Sequence, residues 1–124
     1  MGDCGNAFKR SYFEMTDERI QKIKSTVEGA DHISPEKKAE LLAVLAKLKP
    51  AIRKVAKTHE QEAESISRYV EASAHEAAGK KKHPEGLEKV LHGLRQSVEK
   101  FEASHPDLTA FVTEYSAVLS GLGI

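Results

Sequence analysis

The segment that decides the fold is residues 41–69, which read LLAVLAKLKPAIRKVAKTHEQEAESISRY. Its seam positions recur at alternating steps of four and three residues, the a/d pattern of a coiled-coil heptad. Apolar or aromatic side chains occupy seven of the nine positions, which predicts a coiled-coil-like α-helix that hides this seam from water. The nine positions of the 41–69 seam are Leu41, Leu45, Leu48, Ile52, Val55, His59, Glu62, Ile66 and Tyr69.

The seam predicts one long helix over residues 35–78. Ser34 and Pro35 form a strong start signal, because a serine side chain caps free backbone N–H groups and proline fits the first helical turn. No glycine occurs between Pro35 and Gly79. Pro50 lies inside this span, where it removes a backbone hydrogen bond at a cost of about 3 kcal/mol. The unbroken a/d phase across Pro50 favours a kinked helix, and two separate helices are the alternative.

Three shorter helices are predicted around the long one. Amphipathic spacing and capping signals place them at approximately residues 17–28, 84–103 and 106–121. Residues 1–14 show no periodicity and are interpreted as a disordered N-terminal tail, or as the product of a misplaced start codon. The predicted fold is therefore all-α: one helical domain over residues 15–124, a small bundle of about four helices with one long, coiled-coil-like helix.

The composition argues against several classes of protein. A chain of 124 residues with zero formal net charge is not a general nucleic-acid or membrane-surface binder. Cys4 is the sole cysteine, which excludes an internal disulfide and a cysteine metal cage and fits a cytoplasmic protein. No apolar run approaches the ~18 residues of a membrane span. The N-terminus also lacks the apolar core of a secretory signal.

Charge is segregated along the predicted long helix. Residues 35–58 carry seven basic and two acidic side chains, whereas residues 59–79 carry five acidic side chains and one basic one. An antiparallel pair of such helices would bring opposite charges together. We therefore expect a non-catalytic protein-interaction module that forms an antiparallel homodimer through the 41–69 seam and binds an unidentified protein partner. The alternative is a solvated face whose charges are screened within about 10 Å by salt.

The polar pair in the seam, His59 and Glu62, has two interpretations. If both side chains are buried, they fix the register of assembly and make it sensitive to pH. Otherwise the seam reaches solvent at these positions.

A second functional hypothesis is weak binding of nucleic acid or of an anionic surface. It would use the basic face of residues 37–57 together with Lys80, Lys81 and Lys82. Three lysines beside Gly79 also fit a solvated loop. The two hypotheses differ in their response to salt, because electrostatic binding to DNA falls steeply as salt rises.

Histidine is the one chemically versatile residue present in number, with six copies. A di-iron helical bundle needs two Glu-x-x-His elements, and only Glu102 and His105 have that spacing. The sequence contains no phosphate-binding glycine loop and no Gly-x-Ser-x-Gly nucleophile elbow. We therefore expect no catalytic, metal-binding or cofactor-binding residue.

Residues 94–109 read LRQSVEKFEASHPDLT, and the chain ends in LSGLGI. Both segments resemble the C-terminal part of a family of short bacterial helical proteins of unknown function, which carry a Phe-Glu-x-x-His-Pro-x-Leu-Thr segment and a terminal Gly-Ile. The resemblance covers about residues 87–124. It implies a bacterial, cytoplasmic, helical protein and implies no activity or site residue.

Overall fold

The computed structural model describes residues 18–79 and 84–122. These residues form five α-helices and no strand, which confirms the predicted all-α bundle. Helix α1 covers residues 18–28, and no helix of the described part is long and apolar enough to cross a membrane. The other four helices are α2 (Pro35–Ala56), α3 (Glu60–Ala78), α4 (Pro84–Glu99) and α5 (Pro106–Ser120).

Local sequence signals start the helices as predicted. The Ser34 hydroxyl accepts a hydrogen bond from the Lys37 backbone N–H at 3.2 Å and so caps α2. Proline stands in the first turn of both α2 and α5, where its missing N–H costs nothing. Helix α4 ends at Glu99, a few residues before the predicted end, because residues 100–104 turn toward α5.

The predicted single long helix is wrong. Helix α2 runs through Pro50 without ending, but it stops at Ala56, and α3 begins at Glu60 and packs back against α2. The physical reason is burial of the seam. One straight helix would leave its apolar stripe in water unless another chain covered it, whereas folding back at residues 57–59 covers the stripe within the chain. The a/d phase persists because both helices turn their seam toward the same core.

Helices α2 to α5 form a closed ring. Each contacts its two neighbours: α2 packs on α3 and α5, and α4 packs on α3 and α5. Helix α1 lies outside this ring beside α3, where the Arg19 guanidinium contacts the Glu64 carboxylate at 2.6 Å. Ile20, Ile23 and Val27 extend the ring's apolar core onto α1. The buried side chains therefore form one continuous cluster.

The ring consists of two similar hairpins. The first hairpin is α2–α3 and the second is α4–α5, and seven residues of the first recur 46 positions later in the second. In three of the seven pairs both residues are buried in the core, and one pair is the histidine that ends each corner. The identical pairs are Leu41/Leu87, Val44/Val90, Leu45/Leu91, Leu48/Leu94, Lys54/Lys100, His59/His105 and Tyr69/Tyr115.

The corners of the two hairpins share their geometry. His59 and His105 precede α3 and α5 with nearly the same backbone angles, φ −137° and ψ 69° against φ −135° and ψ 65°. The ring nitrogen Nδ1 of each lies close to the hydroxyl of the preceding residue, at 2.8 Å from Thr58 and 3.0 Å from Ser104. Both corners lie at the same end of the bundle, because both histidine rings meet the Phe101 ring edge-on. The fold is therefore an internal repeat of one helical hairpin.

Candidate protein-binding groove

One concavity of the described residues lies between α2 and the start of α5. We call it the α2–α5 groove. Its cavity volume is about 230 Å³. It opens at the end of the bundle that carries the corners, since corner residues form part of its wall. It is lined by Lys47, Pro50, Ala51, Lys54, Ser104, His105, Pro106, Asp107, Leu108 and Phe111.

The floor of the α2–α5 groove is apolar. Ala51 and Leu108 belong to the buried core, while Phe111 is only partly buried and Pro50 and Pro106 are exposed. The incomplete burial of Phe111 leaves apolar surface in the groove. An exposed apolar patch of this kind marks interaction surfaces more often than scattered apolar residues do.

The rim of the groove is mainly cationic. Lys47 Nζ lies 3.3 Å from a Glu114 carboxylate oxygen and 5.8 Å from the centre of the Phe111 ring. Lys54 has no carboxylate partner among the described residues. Asp107 is the acidic side chain of the lining. The rim thus carries two lysines and one carboxylate, and of the two lysines Lys47 is the one that forms an ion pair with a described carboxylate.

A second groove occupies the equivalent place on the other side of the ring, between α3 and α4. This α3–α4 groove contains Gln61, Glu62, Ser65, Tyr69, Gln96, Ser97, Glu99 and Lys100. Six of these residues correspond, through the 46-residue repeat, to lining residues of the α2–α5 groove. The corresponding pairs are Pro50/Gln96, Ala51/Ser97, Lys54/Lys100, Asp107/Gln61, Leu108/Glu62 and Phe111/Ser65.

The two grooves differ in how their equivalent lysines are paired. Lys100 Nζ lies 3.5 Å from a Glu62 carboxylate oxygen, so the α3–α4 groove neutralises its lysine internally. A hydrogen bond to its own backbone lowers the pKa of the Glu62 carboxyl, and the Lys100 ammonium lowers it further. In the α2–α5 groove Leu108 stands where Glu62 stands, so Lys54 lacks the ion pair that Lys100 forms. Apolar side chains also occupy the positions equivalent to Ser65, Gln96 and Ser97, whereas Asp107 stands where Gln61 stands.

The predicted interaction seam does not form a free surface. Six of its nine residues are fully buried inside the chain: Leu41, Leu45, Leu48, Ile52, Val55 and Ile66. The other three lie at the surface: His59 is exposed, Glu62 is partly exposed, and Tyr69 is 37% exposed. Within the single chain His59 and Glu62 therefore reach solvent, and burial of this pair in an assembly stays a prediction.

Tyr69 and Gly93 form a close pair across the α3–α4 groove. A Cβ atom placed on Gly93 would lie 2.7 Å from Tyr69 Cε1. Glycine inside a helix costs about 1 kcal/mol relative to alanine, so its presence in α4 needs a local reason. The Tyr69 ring, resting on the α4 backbone, supplies that reason.

Tyr115, the repeat equivalent of Tyr69, is completely buried. Its Oη lies 2.9 Å from the Val70 carbonyl oxygen and 2.8 Å from Ser73 Oγ, which itself lies 2.8 Å from the same carbonyl. Burial raises the pKa of the Tyr115 phenol, because the phenolate would have to form away from water.

The described residues form neither a metal site nor a continuous, unpaired basic face for nucleic acid. Within residues 18–79 and 84–122, no group of three histidine, cysteine, aspartate or glutamate side chains could hold a metal ion. The basic face of residues 37–57 is partly neutralised, since Lys37 lies 3.6 Å from Glu40 and Lys47 lies 3.3 Å from Glu114. Lys80, Lys81 and Lys82, and the predicted tail at residues 1–14, lie outside the described residues.

Comparison with models of known protein families identifies the family of this chain. A family described as Domain of unknown function (DUF4404) matches residues 41–124. The chain belongs to the DUF4404 family. This confirms the expected membership of a family of unknown function. No curated protein and no solved structure matches the chain significantly.

The DUF4404 match has a structural meaning. It begins at Leu41, the first seam residue, six residues into α2, and it covers the rest of both hairpins and the lining of both grooves, whereas α1 precedes it. Sequence reasoning missed the α2–α5 groove because its walls are more than 50 residues apart in the chain. The signal that could have found it is the 46-residue repeat, since aligning the hairpins sets Phe111 and Leu108 against Ser65 and Glu62.

Proposed function

We propose that this DUF4404 protein is a non-catalytic protein-interaction module that binds a partner polypeptide in the α2–α5 groove. The observation that carries the proposal is the contrast with the α3–α4 groove. Leu108 and Phe111 stand where the α3–α4 groove has Glu62 and Ser65, and Lys54 forms no ion pair with a described carboxylate, whereas its equivalent Lys100 pairs with Glu62. An apolar floor beside an uncompensated lysine is complementary to a segment that offers an apolar side chain next to a carboxylate.

The size of the groove supports a side chain as the ligand rather than a metabolite. Sites for small molecules usually enclose about 300–1,000 Å³ and surround most of the ligand. The α2–α5 groove provides about 230 Å³ and is open to solvent. That volume fits one aromatic or aliphatic anchor, the element that dominates the energy of many protein interfaces.

The Ser104, His105 and Asp107 side chains in the groove wall invite comparison with a hydrolase triad. Ser104 Oγ lies 3.0 Å from His105 Nδ1, but Thr58 and His59 make the same contact at 2.8 Å in the other corner. The repetition supports a structural role for this contact in each corner. The groove thus provides no pair of nucleophile and base that the corner geometry does not already explain.

The antiparallel homodimer through the 41–69 seam is not retained. Its apolar residues fill the chain's own core, so a second chain could reach them only after the two hairpins separated. Exposing that core would cost most of the free energy that folding supplies.

The proposal is tested by titrating the ¹⁵N-labelled chain with two probe peptides. One is a short acetylated peptide with a phenylalanine flanked by glutamates, and the other carries lysines in place of the glutamates. We expect the acidic peptide to shift the amide signals of Ala51, Lys54 and Leu108 selectively. The double variant P50Q/F111S, which installs polar side chains of the kind found in the α3–α4 groove, should weaken binding by at least about tenfold, the loss of about 1.4 kcal/mol.

Charge reversal sharpens the same test. Lys54→Glu should make the lysine peptide the better ligand, whereas the matched control Lys100→Glu should leave the preference for the acidic peptide unchanged. Equal shifts at both grooves, or a Lys54→Glu variant that still prefers the acidic peptide, would refute the proposal. Duplex DNA serves as the third probe. A DNA response that spreads over the basic face of α2 and vanishes at moderate salt, with no response to either peptide, would favour the nucleic-acid hypothesis instead.

A further inference from the structure

The α3–α4 groove carries the chemistry that the α2–α5 groove requires of a ligand. Tyr69 is 37% exposed, and among residues 18–79 and 84–122 it is the large hydrophobic side chain that is exposed rather than buried or partly buried. Glu99 lines the same groove and is also exposed. Glu62 pairs with Lys100, whereas Glu99 forms no ion pair with a described cation. An aromatic ring and an unpaired carboxylate therefore share this groove.

The charges of the two groove linings are complementary. The α2–α5 groove is lined by two lysines and one aspartate, whereas the α3–α4 groove is lined by two glutamates and one lysine. The bordering helices extend this contrast: residues 35–58 carry seven basic and two acidic side chains, and residues 59–79 carry five acidic side chains and one basic one. Fields of opposite sign steer two such surfaces toward each other.

The two grooves lie on opposite sides of the ring and near the same end. Helices α2 and α5 form one wall of the ring, and α3 and α4 form the wall opposite. The α2–α5 groove contains Ser104 and His105 of the second corner, and the α3–α4 groove contains Gln61 in the first turn of α3, just after the first corner. A second copy placed beside the first in the same orientation therefore brings its α3–α4 groove against the first copy's α2–α5 groove.

We propose that the partner polypeptide of the α2–α5 groove is a second copy of this chain. The second copy's Tyr69 ring contacts the floor at Pro50 and Phe111, and its Glu99 carboxylate pairs with the Lys54 ammonium. This inference rests on the proposed function of the groove. The contact is heterologous, because two different surfaces meet, so each end of the assembly keeps one groove for a further copy. Unlike an association through the 41–69 seam, it leaves the core of each chain closed.

Sedimentation of the full-length chain tests the inference. The contact is small for a permanent complex, so we expect the average mass to rise between about 10 μM and about 1 mM protein. Lys54→Glu and Glu99→Lys each set like charges against each other, and each variant alone should weaken self-association by at least about tenfold. Lys89→Glu changes an exposed lysine of α4 outside both linings, so this charge-matched control should associate like the unaltered chain.

Mixing the two charge variants identifies the surfaces that meet. In an equimolar mixture of Lys54→Glu and Glu99→Lys, each altered surface finds a surface of opposite charge on the other variant, so self-association should recover. Tyr69→Ser removes the ring without changing the charge and should also weaken self-association by at least about tenfold.

Three outcomes would overturn the inference. They are an unaltered chain that stays monomeric at the highest concentration, charge variants that associate as strongly as the unaltered chain, and a mixture of the two charge variants that shows no recovery.

Peptide binding separates this inference from the proposed function. If both are correct, the acidic probe peptide should compete for the α2–α5 groove and lower the average mass of the assembly. Peptide binding to a chain that stays monomeric, or peptide binding that leaves the assembly intact, would overturn the inference and leave the proposed function standing. Absence of peptide binding, together with self-association that is insensitive to both charge variants, would overturn both.

Discussion

The two hairpins share their seam and their corners and differ in their grooves. Leu48 in the first hairpin and Leu94 in the second are both fully buried, and the two corner histidines have the same backbone conformation. Yet Tyr69 is 37% exposed whereas Tyr115 is fully buried. The α3–α4 groove has Glu62 and Ser65 where the α2–α5 groove has Leu108 and Phe111. The comparison teaches that helical periodicity keeps the core positions of the two hairpins apolar, whereas the residue types at equivalent surface positions can differ.

The largest expected effect tests the equivalence of the two cores. Leu48→Ala and Leu94→Ala each remove a fully buried side chain at matching positions. We expect each to lower the free energy of unfolding by about 3–5 kcal/mol, because the lost transfer energy adds to the cavity left behind. Urea unfolding at pH 7 measures both. A loss below about 1 kcal/mol in only one variant would break the equivalence of the hairpins.

The next effect tests the difference between the two tyrosines. Tyr115→Phe removes a buried hydroxyl that lies within hydrogen-bond distance of Val70 O and Ser73 Oγ, and it should cost about 1–2 kcal/mol. Tyr69→Phe is the matched control, and we expect its change to stay within about 0.5 kcal/mol. Urea unfolding again measures both variants, and equal costs would contradict the assignment of one buried and one surface tyrosine.

The same two tyrosines should also differ in how they affect the stability of the protein at alkaline pH. Burial raises the pKa of Tyr115 above its ordinary value of 10.0, so the phenol loses its proton more readily in the unfolded chain than in the folded one. The stabilisation associated with Tyr115 is therefore complete below pH 10 and falls as the pH rises beyond it. Unfolding midpoints measured from pH 8 to 11 should fall less in Tyr115→Phe than in the unaltered chain, and Tyr69→Phe should follow the unaltered chain.

The smallest expected effect concerns Gly93. In the unaltered chain, Gly93→Ala gains helix stability but forces the Tyr69 ring outward, since the new Cβ would approach Cε1 to 2.7 Å. We expect the two effects to offset within about 0.5 kcal/mol. In a Tyr69→Ala background the clash is gone, so Gly93→Ala should stabilise by about 0.5–1 kcal/mol. The double-mutant cycle fails to support the Tyr69–Gly93 contact if Gly93→Ala has the same effect in both backgrounds.

Sequence patterns predicted the helices well and their arrangement less well. Ser34, Pro35 and Pro106 marked helix starts correctly, because capping and proline geometry act within a few residues. The break at His59 was missed because the apolar phase continues through it unchanged. Periodicity reports which face of a helix is buried and is insensitive to whether the covering surface belongs to the same chain.

What the sequence determined by itself is local: where helices begin, which faces are apolar, and membership of a family of unknown function. The tertiary structure alone decided what covers the seam, which of two equivalent tyrosines reaches solvent, and which of two equivalent lysines, Lys100 rather than Lys54, forms an ion pair with a described carboxylate. The physical reason is that hydrogen bonds and caps act between residues close in the chain, whereas burial and charge compensation depend on neighbours such as Lys54 and Leu108, which only folding brings together.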